Sequence, residues 1–310
     1  MIVVCGEALM DVFDAGATPA GQALDARLGG APYNVALGLA RLQQPVAFCG
    51  AVSTGFLGRR VLRSLTDEGI DTRCVQEVNA PTSMCVIGLN ARGVPSYDFY
   101  GDHGADRQLD ARFALERVPH GGVRALHLSC FSMVVEPVAT AQRALVEREG
   151  GHAVISYDPN VRLSIVPSAD RWRQTIDWML PRTHLLKISD EDLGLLYPGL
   201  APDAAAARWL AQGVRTVVVT RGSEGALAFC STARAAVSPV AVKVVDTVGA
   251  GDTFQAALLT WLAEHGRLSI DGVSTLDAAA LESMLTFAAR AAAITCSRRG
   301  ADLPRRSELP

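Results

Sequence analysis

The 310-residue chain lacks the bulk properties that mark several classes of partner and location. Its 29 Lys and Arg nearly balance 32 Asp and Glu, and a net charge of −3 gives no electrostatic reason to expect a nucleic acid or an anionic membrane as partner. Seven cysteines, without a Cys-x-x-Cys pair, favour reduced thiols and a cytoplasmic location. We expect no signal peptide, because residue 1 leads directly into the strand-like residues 2–5. No apolar run approaches the ~20 residues of a membrane-spanning helix, and the longest candidate, residues 254–263, is predicted to be a buried helix.

The sequence also lacks the short motifs of several enzyme classes. It has no Gly-x-x-x-x-Gly-Lys-Ser/Thr phosphate loop, no His-Glu-x-x-His and no Gly-x-Ser-x-Gly. A nucleotide-dependent oxidoreductase would need a complete Gly-x-Gly-x-x-Gly after the first strand, where Gly6-Glu7-Ala8 stands instead. The six histidines are scattered without a partner at ligand spacing, so the sequence predicts no zinc site.

What the chain does contain is an alternation of short apolar runs and helical patterns. This alternation favours an α/β fold, a parallel sheet with helices on both faces. Strands are predicted at residues 46–52, 125–129, 153–157, 185–188 and 216–220, and helices at 34–42, 56–68, 137–148, 169–180, 203–212 and 276–296. Two segments, 12–28 and 82–100, contain extended chain with turn residues such as Gly16 and Arg92-Gly93, which predicts antiparallel strands instead.

The most informative stretch is residues 246–254, Asp-Thr-Val-Gly-Ala-Gly-Asp-Thr-Phe. A short extended run at 241–245 precedes it, and Phe254, Ala257 and Trp261 recur at helical spacing after it. The glycines therefore lie at a helix N-terminus, where unpaired N–H groups and the helix dipole favour an anion such as phosphate.

A carboxylate inside such an anion-binding turn is poorly suited to holding phosphate. We interpret Asp252 as a general base that takes the proton of an acceptor hydroxyl. The N–H groups of Ala250, Gly251 and Asp252, in a turn opened by Gly249, would stabilise the phosphoryl group in transfer. The alternative is that Asp252 only caps the helix.

Two motifs together resemble one known family. Residues 246–254 resemble the C-terminal signature of the ribokinase-like (PfkB) carbohydrate kinases, and residues 29–42, beginning Gly-Gly-Ala-Pro-Tyr-Asn, resemble a second, Gly-rich signature. The resemblance extends from residue 6 to residue 301 and is closest to the fructokinase branch. It implies a single domain with a three-layer αβα core, a mostly parallel central sheet, and a small β-sheet lid formed by about residues 12–28 and 82–103. A lid would keep water from competing with the sugar hydroxyl.

The sugar ligands are predicted from polar residues at strand ends and helix starts. The Asp11 carboxylate can accept hydrogen bonds from vicinal hydroxyls, and Asn34 can donate and accept. Gly29 and Gly30 would let the ring approach the backbone. Without the resemblance, Asp11 is equally a turn residue and Asn34 a helix cap.

A further motif, Asp158-Pro159-Asn160-Val161-Arg162, resembles the family's Asp-x-Asn-x-Arg. The resemblance places Arg162 towards the phosphoryl group or the sugar, a role that suits the planar fork of a guanidinium. The alternative is a turn shaped by Asp158 and Asn160 with Arg162 in a surface ion pair.

ATP is the implied phosphoryl donor. The segment Thr220-Arg221-Gly222-Ser223-Glu224-Gly225 follows a predicted strand and resembles the family's loop under the ATP phosphates, with Thr220, Gly222 and Gly225 at the matching positions. The adenine would lie between this loop and the helix near residues 287–293. Lys187 either reaches a phosphate or simply ends its strand.

Two cations are implied by the resemblance as well. Mg²⁺ prefers water and phosphate oxygens with one or two carboxylates, and many relatives carry Asn-x-x-Glu. Here Ser189 replaces the Asn and Asp192 the Glu, so Asp192 and Glu191 compete as the carboxylate that organises Mg²⁺ through water. A monovalent cation, K⁺, is implied at Asp246 and the Val248 carbonyl, with residues 299–301 on its other side.

A neutral sugar, D-fructose, is the predicted substrate. Some relatives that phosphorylate 2-keto-3-deoxygluconate carry an arginine after the lid's aromatic pair, whereas Gly101 stands here. Tyr97, Phe99 and Tyr100 are predicted to pack on the sugar or to be half-buried core. A 2-keto-3-deoxygluconate kinase, another sugar or nucleoside kinase and a catalytically silent sugar-binding protein are the alternatives. A homodimer through the lid and a monomer both stay open.

Overall fold

The computed structural model describes residues 1–89 and 95–309, so the predicted turn at Arg92-Gly93 lies outside the described residues. The strands are β1 (Ile2–Cys5), β2 (Leu9–Thr18), β3 (Gly21–Gly29), β4 (Val46–Ser53), β5 (Val75–Val78), β6 (Met84–Leu89), β7 (Pro95–Tyr100), β8 (Ala125–Ser129), β9 (Val154–Asp158), β10 (Leu185–Ser189), β11 (Thr216–Thr220), β12 (Ala226–Cys230) and β13 (Arg234–Val237). The helices are α1 (Ala31–Arg41), α2 (Phe56–Asp67), α3 (Ala111–Arg117), α4 (Val138–Glu149), α5 (Ala169–Met179), α6 (Asp190–Leu196), α7 (Pro202–Ala211), α8 (Ala250–Glu264), α9 (Ile270–Ser274) and α10 (Ala278–Cys296).

The large sheet confirms the predicted α/β class. Its nine strands run in the order β13-β12-β11-β10-β9-β8-β1-β4-β5. The pairs from β5 to β11 are parallel, and β12 and β13 add an antiparallel edge. Val3 and Cys5 of β1 contribute to one buried cluster, and Ile2 and Val4 to another, because successive side chains of a strand point to opposite faces. Helices cover both faces, which gives the expected three layers.

A second sheet of four strands is formed largely by the two segments, 12–28 and 82–100, in which the alternation of strands and helices was not found. Its order is β3-β2-β6-β7, with β2 and β6 parallel and the outer pairs antiparallel. The chain enters it from the carboxyl end of β1, so this sheet lies at the edge where the parallel strands end. A small separate sheet is thus confirmed, although its central pair is parallel where antiparallel strands were expected. The predicted bounds of 12–28 and 82–103 for a lid, and its action as one, stay predictions.

The structure corrects two expectations about individual segments. Residues 238–247 contain no strand, although an extended strand was predicted at 241–245. Four valines of this segment, Val240, Val242, Val244 and Val245, are exposed, and the Val245 N–H donates to the Cys296 carbonyl (2.8 Å) rather than to a neighbouring strand. The chain therefore reaches α8 as an irregular, apolar strip, a conformation that period-2 alternation does not distinguish from a strand.

The second correction concerns the expectation that no apolar run is long enough to span a membrane. By length and composition α10 passes that test, with 19 residues and a mean hydropathy of 1.2 over its best window, of which 33% is buried. The helix packs against α8 and against β12 and β13, and Leu281, Met284 and Leu285 belong to the buried cluster on that face of the large sheet. These contacts are those of a core helix of the domain.

Candidate active site

The N-terminus of α8 supplies the anion-binding turn. Gly249 precedes the helix with a φ of 78°, and a Cβ there would lie 2.7 Å from the Cβ of Ala301, so only glycine fits without strain. The Ala250 N–H donates to the Thr247 carbonyl (3.2 Å), which differs from its predicted role. Within the described part of the chain, the N–H groups of Gly251 and Asp252 have no acceptor. These two groups are therefore the ones available to an anion.

Asp252 lies in the first turn of α8 and is only 8% exposed. Its Oδ2 accepts a hydrogen bond from Asn34 Nδ2 (2.8 Å), so the two signature motifs meet in one contact. Burial raises the pKa of Asp252 to about 6; Asp158 also raises it, whereas Asn34, Lys187 and Arg162 act in the opposite direction. A carboxylate with this pKa is ionised at neutral pH and is basic enough to accept a hydroxyl proton.

Two helices hold this contact in place. Asn34 lies in the first turn of α1 and is buried, and its Oδ1 has no hydrogen-bond partner among the described residues. Further along α1, a Cβ on Gly38 would lie 2.8 Å from the Cβ of Ala256 in α8, so the helices approach as closely as a glycine allows. The close packing fixes the side chains of Asn34 and Asp252 relative to each other.

The small sheet brings Asp11 to the same place. A Cβ on Gly29 would lie 2.1 Å from Asp11 Oδ2, so the glycine leaves the space that the carboxylate occupies. Burial raises the pKa of Asp11 to about 6; repulsion from Asp252 adds to this shift and Arg162 opposes it. Gly30 has a φ of 106°, and a Cβ there would lie 2.7 Å from the Glu7 carbonyl oxygen. The predicted sugar residues Asp11, Gly29, Gly30 and Asn34 are therefore brought together around Asp252.

Phe99 extends this surface across the small sheet. Asp11 pairs with Cys85, and Cys85 pairs with Phe99, so the three residues form one row. The Phe99 ring packs edge-on against Phe131 with centroids 5.5 Å apart. Tyr100, the next residue, is 60% exposed, which contradicts the expectation that it packs on the sugar face. The side chain of Tyr97 lies outside the described residues.

A buried ion pair supports the other side of the anion-binding turn. Lys187, one of two lysines in the chain, places its Nζ 2.7 Å from Asp158 Oδ2, and both side chains are almost fully buried. A Cβ on Gly251 would lie 3.4 Å from the same Nζ, which brings the ammonium to the edge of the turn. Asp158 Oδ1 has no hydrogen-bond partner in the ranges that the structure covers. The sequence had identified Asp158 only as a motif residue.

Asp192 and Glu191, the two candidates for organising Mg²⁺, point to different places. Asp192 is buried in the first turn of α6, where its Oδ1 accepts from the Val161 N–H (3.2 Å). Burial raises the pKa of Asp192 to about 6, Asp158 adds to this shift, and Arg162 opposes it. Glu191 is exposed. The geometry favours Asp192, because its carboxylate lies beside Asp158.

Arg162 lies at the solvent side of this acidic group. Its Nη1 donates to the Val161 carbonyl (2.9 Å). Its charge opposes the rise in pKa at three carboxylates, Asp11, Asp192 and Asp252. The guanidinium is therefore close to the predicted position of the phosphoryl group, and it is not paired with one carboxylate alone.

The predicted nucleotide loop follows β11. Thr220 ends the strand, Gly222 and Gly225 have φ values of 48° and 85°, and the Arg221 N–H donates to the Gly225 carbonyl (2.8 Å) to close the turn. A Cβ on Gly225 would lie 2.0 Å from the Val237 carbonyl oxygen. The loop is thus packed closely against Val237, and the chain continues from there to the exposed valines of residues 240–245.

The segment predicted to bind a monovalent cation is hydrogen-bonded to the C-terminal loop. Asp246 Oδ1 accepts from the Val248 N–H (3.1 Å), and its Oδ2 accepts from the Gly300 N–H (2.8 Å). The residues on both predicted sides of the cation are therefore adjacent. Both Asp246 oxygens accept a backbone hydrogen bond, so Asp246 also acts as the turn cap that was the alternative interpretation.

Glu7 is a buried carboxylate next to Gly30 that sequence reasoning missed. It follows β1, is 1% exposed, and neither carboxylate oxygen has a hydrogen-bond partner by geometry within the described residues. Burial raises its pKa from 4.5 to about 7. In the sequence, Glu7 was noted only for interrupting a glycine motif. A charged residue directly after a buried strand was the signal that could have identified it.

We predict that ionisation of Glu7 lowers the free energy of unfolding of the protein as the pH rises. The folded-state pKa lies above the unfolded value, so the contribution is fully present below pH 4.5 and is lost as the pH passes about 7. A shift of two to three units corresponds to roughly 3 kcal/mol. In urea titrations, the free energy of unfolding of Glu7→Gln should therefore fall less between pH 5.5 and 8 than that of the wild type. The exposed Glu282→Gln variant is the control, and equal pH dependence in both variants would contradict the prediction.

The fold and the site together define a class of protein. A buried carboxylate in the first turn of a helix, two of whose N-terminal N–H groups have no acceptor among the described residues, at the carboxyl edge of a parallel sheet, is an arrangement suited to phosphoryl transfer to a hydroxyl. The family comparison agrees: the model of the pfkB family carbohydrate kinases matches residues 1–308, and the chain belongs to that family. The protein is an ATP-dependent carbohydrate kinase.

Several similar proteins are named fructokinase. The chain is 33% identical over 285 residues to a fructokinase of Rhizobium leguminosarum bv. trifolii, covering 91% of this chain and 86% of the relative. It is 32% identical to fructokinase-1 of Oryza sativa subsp. japonica, over 88% of this chain and 83% of the relative. The crystal structure of fructokinase with bound ATP from Xylella fastidiosa superposes with a TM-score of 0.85 at 28% identity, over 100% of this chain and 94% of the other.

Proposed function

We propose that the protein transfers the γ-phosphoryl group of ATP to a hydroxyl of D-fructose, with Asp252 as the general base. The observation that supports this proposal most directly is the contact between Asp252 and Asn34, which joins the predicted base to a predicted sugar ligand at the mouth of the anion-binding turn. Relatives named fructokinase provide the choice of fructose.

The sugar would be held from two sides. Asp11 on the small sheet and Asn34 Oδ1 on α1 offer acceptors for its hydroxyls, and the absent side chains of Gly29 and Gly30 leave room for the ring. Phe99 continues the same row and offers an apolar surface. In this position the reacting hydroxyl donates to the free oxygen of Asp252, which takes its proton as the oxygen attacks the phosphorus.

The nucleotide would lie along the other side of the turn. The glycine loop 222–225 would approach the phosphates, the exposed Val244 and Val245 would form one wall of an apolar slot for adenine, and α10 near residues 287–293 would form the other. The N–H groups of Gly251 and Asp252 point to the position where charge develops in the transition state, and Lys187 and Arg162 add positive charge beside it.

The cations belong to the proposal as well. The donor set fits Mg²⁺, because Asp158 Oδ1 is a buried carboxylate oxygen without a hydrogen-bond partner among the described residues and Asp192 lies next to it. When bound with ATP, Mg²⁺ would neutralise phosphate charge. K⁺ is proposed at Asp246 and the Val248 carbonyl; a Vibrio cholerae fructokinase of 26% identity and TM-score 0.82 was solved with fructose, ADP and potassium.

One observation favours an acidic sugar as a second candidate. The sequence argument against 2-keto-3-deoxygluconate was the lack of an arginine at position 101. In the structure, the guanidinium of Arg107 lies 5.3 Å from the centroid of the Phe99 ring and 5.8 Å from that of Phe131. A cation is therefore present beside the row that starts at Asp11, supplied by a different position of the chain.

The deciding experiment measures ADP release from Mg-ATP with fructose, 2-keto-3-deoxygluconate, ribose, aminoimidazole riboside or buffer, each with and without K⁺. Turnover with fructose alone supports the proposal. Turnover with 2-keto-3-deoxygluconate that is lost in Arg107→Met supports the second candidate. Sugar and ATP binding without turnover anywhere would replace both with a silent binding protein.

The pH profile tests the role of Asp252 separately. We expect kcat to rise with pH through an apparent pKa near 6, because the base must be ionised and burial holds its pKa at about 6. The value belongs to a coupled set, since Asp11 and Asp192 also titrate near 6. Asn34→Leu removes a hydrogen bond that lowers the Asp252 pKa, so the acid limb should move to higher pH. An unmoved limb in this variant would contradict the assignment.

We also propose a cytoplasmic location and a homodimer formed through the small sheet. Leu24 and Tyr100, 58% and 60% exposed, lie on β3 and β7 and offer apolar surface for a second copy. Light scattering after size exclusion tests the dimer, and Leu24→Glu should shift a dimer towards monomer while leaving a monomer unchanged.

A further inference from the structure

A second cluster of ionisable side chains lies at the C-terminal end of α4, away from the site described above. Its centre is Glu149, the last residue of the helix, whose side chain is 0% exposed. The Nε2 atom of His152 lies 2.6 Å from Glu149 Oε2, and the Nδ1 atom of His120 lies 3.8 Å from Glu149 Oε1. The two imidazole rings meet edge-on with centroids 5.5 Å apart. Two accessible imidazoles thus converge on one buried carboxylate.

Arg148 holds the parts of this cluster together. Its Nε donates to Glu149 Oε1 (2.5 Å), and its Nη1 and Nη2 donate to the carbonyls of Leu115 (2.5 Å) and Val118 (2.9 Å). The guanidinium therefore fixes the carboxylate and also the chain two residues before His120. Such a hydrogen bond from outside the ligand set is what orients ligands in metal sites.

We propose that His120, Glu149 and His152 form a binding site for a divalent transition-metal ion, with Zn²⁺ as the best fit. One ligand atom from each residue lies within 4.8 Å of the others. Imidazole nitrogen and carboxylate oxygen at ~2.0–2.2 Å from the metal place neighbouring ligands roughly 3.3 Å apart in a tetrahedron, so small rotations of the exposed imidazoles close the site. The exposed side leaves the fourth position to water.

The position of the cluster indicates what the ion does. His120 precedes β8, which starts at Ala125, and His152 precedes β9, which starts at Val154. The residues of the kinase site follow the ends of these strands, so the two sites lie at opposite edges of the sheet, about 17 Å apart for five-residue strands. A bound ion joins the segment before β8 to the end of α4. It therefore stabilises the fold and takes no part in phosphoryl transfer.

The test is a calorimetric titration of ZnCl₂ into the metal-free, full-length protein, without nucleotide. We expect one ion per chain in the wild type, a loss of affinity of about tenfold or more in His120→Gln and in His152→Gln, and no binding in the double variant. The exposed His265→Gln is the matched control and should bind as the wild type does. Both ligand histidines are at the surface, so circular dichroism should show an unchanged fold.

Co²⁺ supplies a readout of the ligand geometry. A visible absorption band of tetrahedral Co²⁺, present in the wild type and in His265→Gln and absent from the double variant, supports the site. A Zn²⁺-dependent rise in Tm should follow the same pattern, because the ion binds only the folded state. The proposal is overturned if the wild type binds no Zn²⁺, or if the double variant binds it with unchanged affinity. In either case Glu149 serves only as an ion-pair partner of Arg148 and His152.

Discussion

Asp252→Asn should lower kcat by roughly 10³-fold while sugar and ATP still bind. The amide keeps the shape of the carboxylate and can still accept the hydrogen bond from Asn34 Nδ2, which is 2.8 Å long in the wild type. It cannot take the hydroxyl proton, so only the chemical step is lost. The measurement is single-turnover ADP formation with saturating sugar, together with calorimetric binding of sugar and of a non-hydrolysable ATP analogue.

A control separates this effect from a general change of charge. Asp271→Asn makes the same substitution at an exposed position of α9 and should leave kcat unchanged. If Asp252→Asn kept kcat within tenfold of the wild type with both ligands bound, Asp252 would be a helix cap and the base would have to be sought elsewhere.

Lys187→Met should lower the free energy of unfolding by roughly 3–5 kcal/mol, the second large effect. The ammonium lies 2.7 Å from Asp158 Oδ2 and both side chains are buried, so its removal leaves an uncompensated carboxylate in the interior. Urea titration followed by tryptophan fluorescence measures the loss. Turnover should fall as well, because the charge beside Gly251 is gone.

The double variant Lys187→Met with Asp158→Asn tests the physical reason. Removing both charges should recover most of the stability and none of the turnover, since the cost comes from the unpaired charge. As a matched control, Arg112→Met breaks an exposed pair with Glu116 in α3 and should change the free energy of unfolding by less than about 1 kcal/mol. If Lys187→Met also lowered the free energy of unfolding by less than about 1 kcal/mol, the pair of Lys187 and Asp158 would not be isolated from solvent.

The parallel core was predictable from sequence because its strands are buried on both faces. Residues 216–220 are a continuous β-branched run and residues 125–129 a short, mostly apolar one, both bounded by helical patterns, and the structure has β11 and β8 at those positions. The hairpin of β12 and β13 was missed, since both strands are short: Ala226–Cys230 pairs with β11, and Arg234–Val237 pairs only with β12. The helix α6 was missed because its first turn, Asp190-Glu191-Asp192, was interpreted as a metal motif.

Within the site, the local motifs were predictable and the long-range partners were not. The glycine turn at residue 249 follows from local spacing and backbone sterics. The contact between Asn34 and Asp252 joins residues 218 positions apart, and that between Lys187 and Asp158 joins residues 29 positions apart. The order of the strands in the sheet brings these partners together, and this order cannot be read from the spacing of residues in the sequence. The same reason applies to His120, which lies 29 positions from Glu149, whereas the contact of His152 with Glu149 is local and was missed in the sequence.

The close approach of Gly38 to Ala256 limits how the enzyme can acquire new substrates. The helix that carries Asn34, the proposed sugar ligand, and the helix that carries Asp252, the proposed base, pack closely at this point, so we expect that neither can shift to suit a larger or differently shaped acceptor. We expect substitutions to be accommodated instead where the small sheet faces the site, at positions such as Phe99; Gly101 is an exception, because a Cβ there would lie 2.2 Å from the Phe99 ring. Laboratory evolution of a new sugar preference should therefore accumulate substitutions in β2, β6 and β7 and leave α1 and α8 unchanged.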